Sequence, residues 1–206
     1  MYANKLALQN AILSEAIRSG DSTFEGLCGG FISRAEAKIF TGVNPLKCRE
    51  METRATLTVT AGAGATPANF LSARRLTWVT DRPYKLIFRH PEDFYDQTGA
   101  HSRATIYTID GTIINVLSPE SGAAILSYYA RPSALSGDTD TNAVLTAQGH
   151  VYLAAALVEA FGYLRDDQNT AKWMQKLNEA IDGANLAAVK ARYSGTHLAP
   201  RIPGAI

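Results

Sequence analysis

The fold is decided where Asp110-Gly111 separates two strand-like stretches, Arg103-Ala104-Thr105-Ile106-Tyr107-Thr108-Ile109 and Thr112-Ile113-Ile114-Asn115-Val116-Leu117. Both stretches are rich in β-branched residues, which favour strands. An Asp-Gly pair is a strong hairpin signal, because both central positions of the tight turn need positive φ angles. This part of the chain therefore predicts an antiparallel β-hairpin.

Strand-like segments continue on both sides of the hairpin, at residues 53–60, 75–80, 84–88 and 123–129. A small-residue loop at 61–67 and the turn Pro119-Glu120-Ser121-Gly122 separate some of them. Pro91–Asp96 suits a single helical turn with proline in its first position. We expect a meander of roughly five or six antiparallel strands over residues 51–130.

Helical patterns precede this region. Apolar spacing over Ala3–Arg18 predicts a first helix, with Gly20 as its C-cap glycine. The segment Ser22-Thr23-Phe24-Glu25 matches a capping box with Ser22 as N-cap, and apolar residues then recur every three or four positions as far as Ile39. Glycines at positions 26, 29 and 30 interrupt this second helix, and we interpret them as marks of close packing or a bend.

Helical patterns also follow the β region. A polar linker at 131–141 leads into a helix from about Gln148 to Arg165 and another from a cap at Asp166 or Asp167 to Arg192. The last segment, residues 193–206, contains two prolines and two glycines. It suits neither a helix nor a central strand, and we expect an extended C-terminal arm.

The patterns together predict the α+β class, with a helical core from the N- and C-terminal helices and an inserted antiparallel β meander or sandwich. The expected parts of this one structural unit are the N-terminal helices 1–45, the β region 51–130, the C-terminal helices 142–192 and the arm 193–206. We expect the terminal helices to pair with one another, since neither group alone can bury its apolar stripe.

Composition excludes several classes of protein. The 206 residues are 46% hydrophobic and 19% charged, which argues against intrinsic disorder and leaves room for surface that a partner covers. The net charge of +1 lacks the basic excess typical of phosphate-gripping proteins. No apolar run reaches about 18 residues, so we expect no transmembrane helix. Since no signal peptide is recognisable, Cys28 and Cys48 are expected to be free thiols in a reducing compartment.

Motifs for chemistry are weak. Gly62-Ala63-Gly64-Ala65 lacks the Gly-Lys-Ser/Thr of a phosphate loop. No two of the four histidines have metal-ligand spacing, and the carboxylates at 92, 93, 96, 138 and 140 stand where acidic residues favour turns and helix starts. We therefore expect no catalytic residue, no metal ligand and no cofactor.

Two alternative functions remain open. One is a sheet-based nucleic-acid-binding module, in which Arg74, Arg75 and Arg103 form a basic strip beside aromatic residues at 84, 88, 95 and 107. The other is a small enzyme with its site on the β insertion. Cross-strand packing with solvated arginines explains the strip better than nucleic-acid binding does. Trp173 falls off the apolar stripe of its helix and is therefore a candidate partner contact.

The order of segments resembles the head-to-tail connector or adaptor (head-completion) proteins of tailed bacteriophages. The similarity runs from about Leu71 to Trp173. It is carried by Leu71–Leu76, Pro91–Tyr95, Tyr128–Ser136, Thr141–Leu145, Tyr152–Ala160 and Tyr163–Asp167. The glycine-rich segment 26–30 departs from the regular helix usual in that family.

This resemblance implies a structural virion protein without enzyme activity or cofactor. It implies a homo-oligomeric dodecameric ring at the head-to-tail junction, with the portal protein above, a tail, nozzle or stopper protein below, and DNA passing through non-specifically. Assembly would take place in the host cytoplasm.

The arm itself holds no acidic residue but carries spaced apolar ones, a pattern typical of segments that order on a partner. The candidate partner contacts are Tyr193, Leu198, Arg201, Ile202, Ile206 and Trp173.

Overall fold

The computed structural model describes residues 2–96, 103–117 and 121–193, which contain six α-helices and eight strands. The helices are α1 Lys5–Glu15, α2 Ser22–Thr41, α3 Pro91–Tyr95, α4 Ala143–Ala147, α5 Gly149–Tyr163 and α6 Asp167–Tyr193. The strands are β1 Glu52–Val59, β2 Ala63–Ala65, β3 Phe70–Trp78, β4 Tyr84–Lys85, β5 Ile87–Phe88, β6 Ile106–Asp110, β7 Ile113–Val116 and β8 Gly122–Ala130. The predicted α+β class is confirmed.

The chain forms two compact units. A helical unit comprises residues 1–50 and 134–206, and a sheet unit comprises residues 51–133. The helical unit is therefore built from both ends of the sequence, and each unit has its own core.

Helix α5 lies at the centre of the helical unit and contacts α1, α2 and α6. Its side chains are apolar around nearly the whole circumference, and Tyr152, Leu157 and Ala156 have no exposed surface. A helix that is apolar all round is stable in water only when neighbours cover it. The expected pairing of the terminal helices is thus observed, with α5 as the element they share.

Buried polar groups fix the linker that enters this unit. The Glu36 carboxylate accepts hydrogen bonds from the backbone N–H of Leu135 at 3.2 Å and from the Tyr152 hydroxyl at 3.4 Å. Lys5 Nζ donates to the carbonyl of Ser136 at 2.7 Å. Because unpaired buried charges are costly, these contacts hold an irregular segment in one conformation.

The ends of α1 and α2 differ from the prediction. Helix α1 stops at Glu15, and the positive-φ residue that ends it is Ile17, with φ +54°; Gly20, with φ +88°, lies in the following turn and is not the C-cap glycine. The N–H groups of Ile17 and Arg18 donate to the carbonyls of Ser14 and Leu13, as in a Schellman motif. The hydrogen bonds to these two carbonyls stabilise the end of α1 by more than the left-handed backbone of the β-branched Ile17 destabilises it.

The N-cap of α2 is Asp21 rather than Ser22, because Asp21 Oδ1 accepts the N–H of Phe24 at 3.0 Å. The helix runs unbroken through its glycines. A Cβ at Gly26 would meet nothing within 4 Å, so the expectation of close packing there is wrong.

The sheet unit contains two four-stranded sheets, with strand orders β1-β8-β3-β4 and β2-β7-β6-β5. One apolar core joins them, with Leu57, Leu76 and Leu126 from the first sheet and Ile114 and Val116 from the second. The predicted hairpin is confirmed, since β6 and β7 are antiparallel and Asp110 lies opposite Ile113.

The expected simple meander is wrong in three respects. Strand β8 returns to lie between β1 and β3, and β5 pairs parallel with β6. The predicted loop 61–67 contains strand β2, which pairs with β7. Alternate residues of β8 are buried in the core. A central position in the sheet therefore buries more of this apolar side than an edge position would.

Cys28 and Cys48 are both buried, and no disulfide joins them. Burial raises the pKa of the Cys28 thiol, and the nearby Glu25 carboxylate adds to this.

A surface carboxylate also links two helices of the helical unit. Glu159 of α5 accepts from Lys38 Nζ at 2.7 Å and from Arg34 Nε at 3.1 Å, both on α2. Burial opposes the charge, but the hydrogen bonds and attraction from Lys38 and Arg34 prevail and hold the pKa of the Glu159 carboxyl below its ordinary value of 4.5.

Replacing Ile17 by glycine should stabilise the protein by about 1 kcal/mol, because a left-handed conformation costs an L-residue roughly this much. Ile17 is 90% exposed, so its removal loses almost no burial. Chemical denaturation of the wild type, Ile17→Gly and Ile17→Ala measures the effect. Alanine keeps the Cβ and should give little gain; an equal gain from both variants would contradict the explanation.

Glu159→Gln should lower the stability at pH 7 by about 1 kcal/mol or less, as expected for a partly solvated ion pair. A lowered native pKa stabilises the fold above the ordinary pKa and ceases to do so as the pH falls through the native pKa. The difference between wild type and variant should therefore shrink below about pH 4.5. Urea unfolding at pH 7 and pH 3.5 checks this, and a constant difference would refute it.

Candidate interaction surfaces

Trp173 lies in a groove of about 400 Å³ in the helical unit, between the end of α1 and the turn from α5 to α6. Ile17, Phe161 and Leu164 supply apolar walls, and Lys172 stands beside the indole. The Trp173 side chain is half-buried, whereas its position off the apolar stripe predicts an exposed one. The prediction missed this because the wall comes from α1, far away in sequence.

Two helix ends of the same type build this groove. Helix α5 also ends in a Schellman motif, with Arg165 at φ +56° and the Asp166 N–H donating to the Phe161 carbonyl at 3.0 Å. Asp166 then caps α6, since its Oδ1 accepts from the N–H of Asn169 at 3.0 Å. The hydrogen bonds that the backbone N–H and the side-chain amide of Asn169 donate to the Asp166 carboxylate hold the pKa of that carboxyl below its ordinary value.

The groove combines apolar, aromatic and cationic groups. Lys176 Nζ lies 3.9 Å from the centre of the Trp173 ring, in cation–π geometry. Lys172 and Arg18 add positive charge, and Glu15 and Asp166 add carboxylates. An open surface of this kind suits a protein partner, because interface centres are enriched in aromatic and long cationic side chains.

The other candidate contacts lie outside the described residues. Tyr193 is the last residue of α6, and its side chain lies outside the described part of the structure. The same is true of four whole residues, which are Leu198, Arg201, Ile202 and Ile206. Their role as partner contacts stays a prediction.

The arginines of the basic strip, which the sequence offered as a nucleic-acid-binding surface, have separate partners in the structure. Arg74 pairs with Glu52 and lies 5.9 Å from the Tyr129 ring, whereas Arg103 stacks on Tyr84 at 3.8 Å. Tyr107 is buried in the sheet core, so it is not available for base stacking. Tyr84 also packs against that core, whereas Phe88 and Tyr95 are exposed.

The carboxylates considered for catalysis either accept hydrogen bonds from the backbone or are exposed to solvent. Asp140 Oδ2 accepts the N–H groups of Ser136 and Gly137 at 2.9 and 2.7 Å, which fixes a turn. Glu92 is exposed beside His90, with Oε2 and Nδ1 4.0 Å apart. Within residues 2–96, 103–117 and 121–193, no three histidine, cysteine or acidic side chains group as metal ligands. In the same residues, no helix has the length and apolar character to cross a bilayer.

The described surfaces are open grooves on an α+β scaffold, which is the form expected of an assembly subunit. A family model described as SU10 adaptor protein matches residues 3–201, nearly the whole chain. The chain therefore belongs to the SU10 adaptor protein family, and the resemblance to phage head-to-tail adaptors is confirmed. A search of curated proteins gave no match. Family membership favours a structural virion component over an enzyme.

Iodide should quench the fluorescence of Trp173 but not that of Trp78, the other tryptophan of the chain, which is 3% exposed. Lys172 and Lys176 attract the anion, so caesium should quench less than iodide at equal ionic strength. Stern–Volmer titration of wild type and Trp173→Phe measures this. Trp173→Phe should lose the fluorescence that iodide quenches. If the wild type and Trp173→Phe are quenched equally, the Trp173 indole is not accessible to iodide and the prediction is wrong.

Proposed function

We propose that this protein is the structural head-to-tail adaptor of a tailed bacteriophage. It forms a dodecameric ring between the portal and the tail, and the ring lines the channel through which DNA passes. The observation that carries the proposal is the family match over residues 3–201. The protein works as a mature virion component at the head-to-tail junction and assembles in the host cytoplasm.

The partners follow from this position. The portal protein lies above the ring, and a tail, nozzle or stopper protein lies below it. A cyclic ring needs two different faces on each subunit, because the contact is heterologous. The Trp173 groove and the surfaces of the sheet unit supply separate contact regions. A net charge of +1 is compatible with DNA passing without strong non-specific binding.

The arm, residues 193–206, is the part of the chain that we assign to the portal or to a neighbouring subunit. It has no acidic residue, and Lys190 and Arg192 in the last turn of α6 add positive charge before it. Spaced apolar residues at 198, 202 and 206 provide anchors. Such a segment gains its order from the partner and pays chain entropy on binding.

Deleting residues 193–206 should leave the thermal stability nearly unchanged but abolish binding to the cognate portal. The reason is that the arm adds apolar contacts to the partner and few to its own helices. Differential scanning calorimetry and co-sedimentation with portal rings measure the two effects. A matched control with Leu198, Ile202 and Ile206 changed to serine keeps the length and should behave as the deletion does.

Two results would contradict this assignment. If the truncated chain still saturates portal rings, the arm is not a portal contact. If the truncated chain unfolds at a much lower temperature, the arm belongs to the helical core. Electron microscopy of the full chain on the portal counts the copies and tests the ring itself.

A further inference from the structure

The outer face of the β1-β8-β3-β4 sheet carries a group of cations. Leu57 and Leu76 point into the core, so the alternate positions on β1 and β3 point outward. Arg54 of β1 and Arg75 of β3 lie opposite the same residue, Ser127 of the central strand β8. Two strand spacings therefore separate their backbones, which is about 10 Å.

These cations line a groove of about 420 Å³ that also includes Lys85 and the Arg74–Glu52 ion pair. Lys85 lies opposite Thr77, one strand further across the sheet. Among the described residues, Arg54, Arg75 and Lys85 have no carboxylate within ion-pair distance, whereas Arg74 uses Glu52. The groove thus has three exposed cations available for an external anion.

The same unit carries a complementary surface on its other sheet. Helix α3 contacts β6 and is anchored by Phe94, which is buried. Glu92 and Asp93 of α3, and Asp96 at its C-cap, are exposed to solvent. Within the described chain, no ion pair joins these carboxylates to the groove.

We infer that the basic groove of one subunit receives the acidic helix α3 of a second copy of this chain. The inference rests on the proposed ring and names the contact that joins neighbours. Because groove and helix lie on different sheets of the sheet unit, each subunit can offer its groove to one neighbour and its helix to another, so the contact can repeat around a ring. Because like charges repel, groove-to-groove and helix-to-helix pairing are disfavoured.

A second copy fits the groove better than nucleic acid does. The groove lining is Glu52, Thr53, Arg54, Arg74, Arg75, Lys85 and Ser127. This lining offers no aromatic face on which a base could stack. A protein helix with three carboxylates instead matches three available cations.

Charge reversal tests the contact. Arg54→Glu with Arg75→Glu reverses the groove, and Glu92→Lys with Asp93→Lys reverses the helix. All four positions are exposed, so both variants should keep the wild-type melting temperature. Sedimentation velocity at 50 mM and 500 mM NaCl measures the self-association of the full chain. The wild type should associate in a salt-dependent way, and each variant alone should associate at least tenfold more weakly.

Mixing separates this contact from a general charge effect. A 1:1 mixture of the two variants should recover association, since each groove then meets a helix of opposite charge. A chain with all four changes should recover it alone. Lys47→Glu with Arg49→Glu is the control, because it makes the same charge change as the groove variant at exposed positions outside the groove, α3, the Trp173 groove and the arm.

Several results overturn the inference. They are wild-type-like association of either variant, failure of the mixture to recover, and a wild type that stays monomeric at low salt. Loss of binding to a 30-nucleotide DNA in the groove variant, without loss of self-association, assigns the groove to nucleic acid instead. Portal co-sedimentation of the same samples separates the two proposals. Portal binding with unchanged variant association refutes only this contact, whereas absence of portal binding by the wild type refutes the proposed function.

Discussion

The burial of α5 is the contact on which the helical unit depends. Its surface is apolar on nearly every side, so it needs α1 and α2 from the start of the chain and α6 from the end. Burying one large apolar side chain contributes about 1.5–3 kcal/mol, and α5 buries several. Glu36 and Lys5 then fix the incoming linker by hydrogen bonds that no apolar residue can supply. Specific geometry is thus added to a core that is held by burial.

The sheet unit is stabilised differently, because two small sheets enclose one apolar core. Strand β8 pairs on both edges, with β1 and with β3, and therefore organises the larger sheet. Its outward side leaves Ser127 between Arg54 and Arg75, so the strand order itself creates the basic groove. Helix α3 covers part of the second sheet and presents acidic groups there. The surfaces for assembly follow directly from how the core is enclosed.

Local patterns predicted much of this molecule. The Asp110-Gly111 hairpin, the one-turn helix at Pro91 and the long C-terminal helices all depend on residues close in sequence, and all are present. Strand β2 was missed because alanine and glycine carry no strand signal, and the position of β8 was missed because strand pairing is non-local. Trp173 was found as an off-stripe aromatic residue, although its groove also needs Ile17, whose left-handed backbone no propensity predicts.

The insertion of residues 51–133 into the helical unit has a consequence for synthesis on the ribosome. Helices α1 and α2 emerge first, but α5, which covers their apolar sides, is made more than a hundred residues after α1. At about 5–20 residues per second, these apolar sides remain uncovered for several seconds or longer. The sheet unit is contiguous in sequence and can fold during that interval. The order of translation therefore favours folding of the sheet unit before α1 and α2 pack against α5.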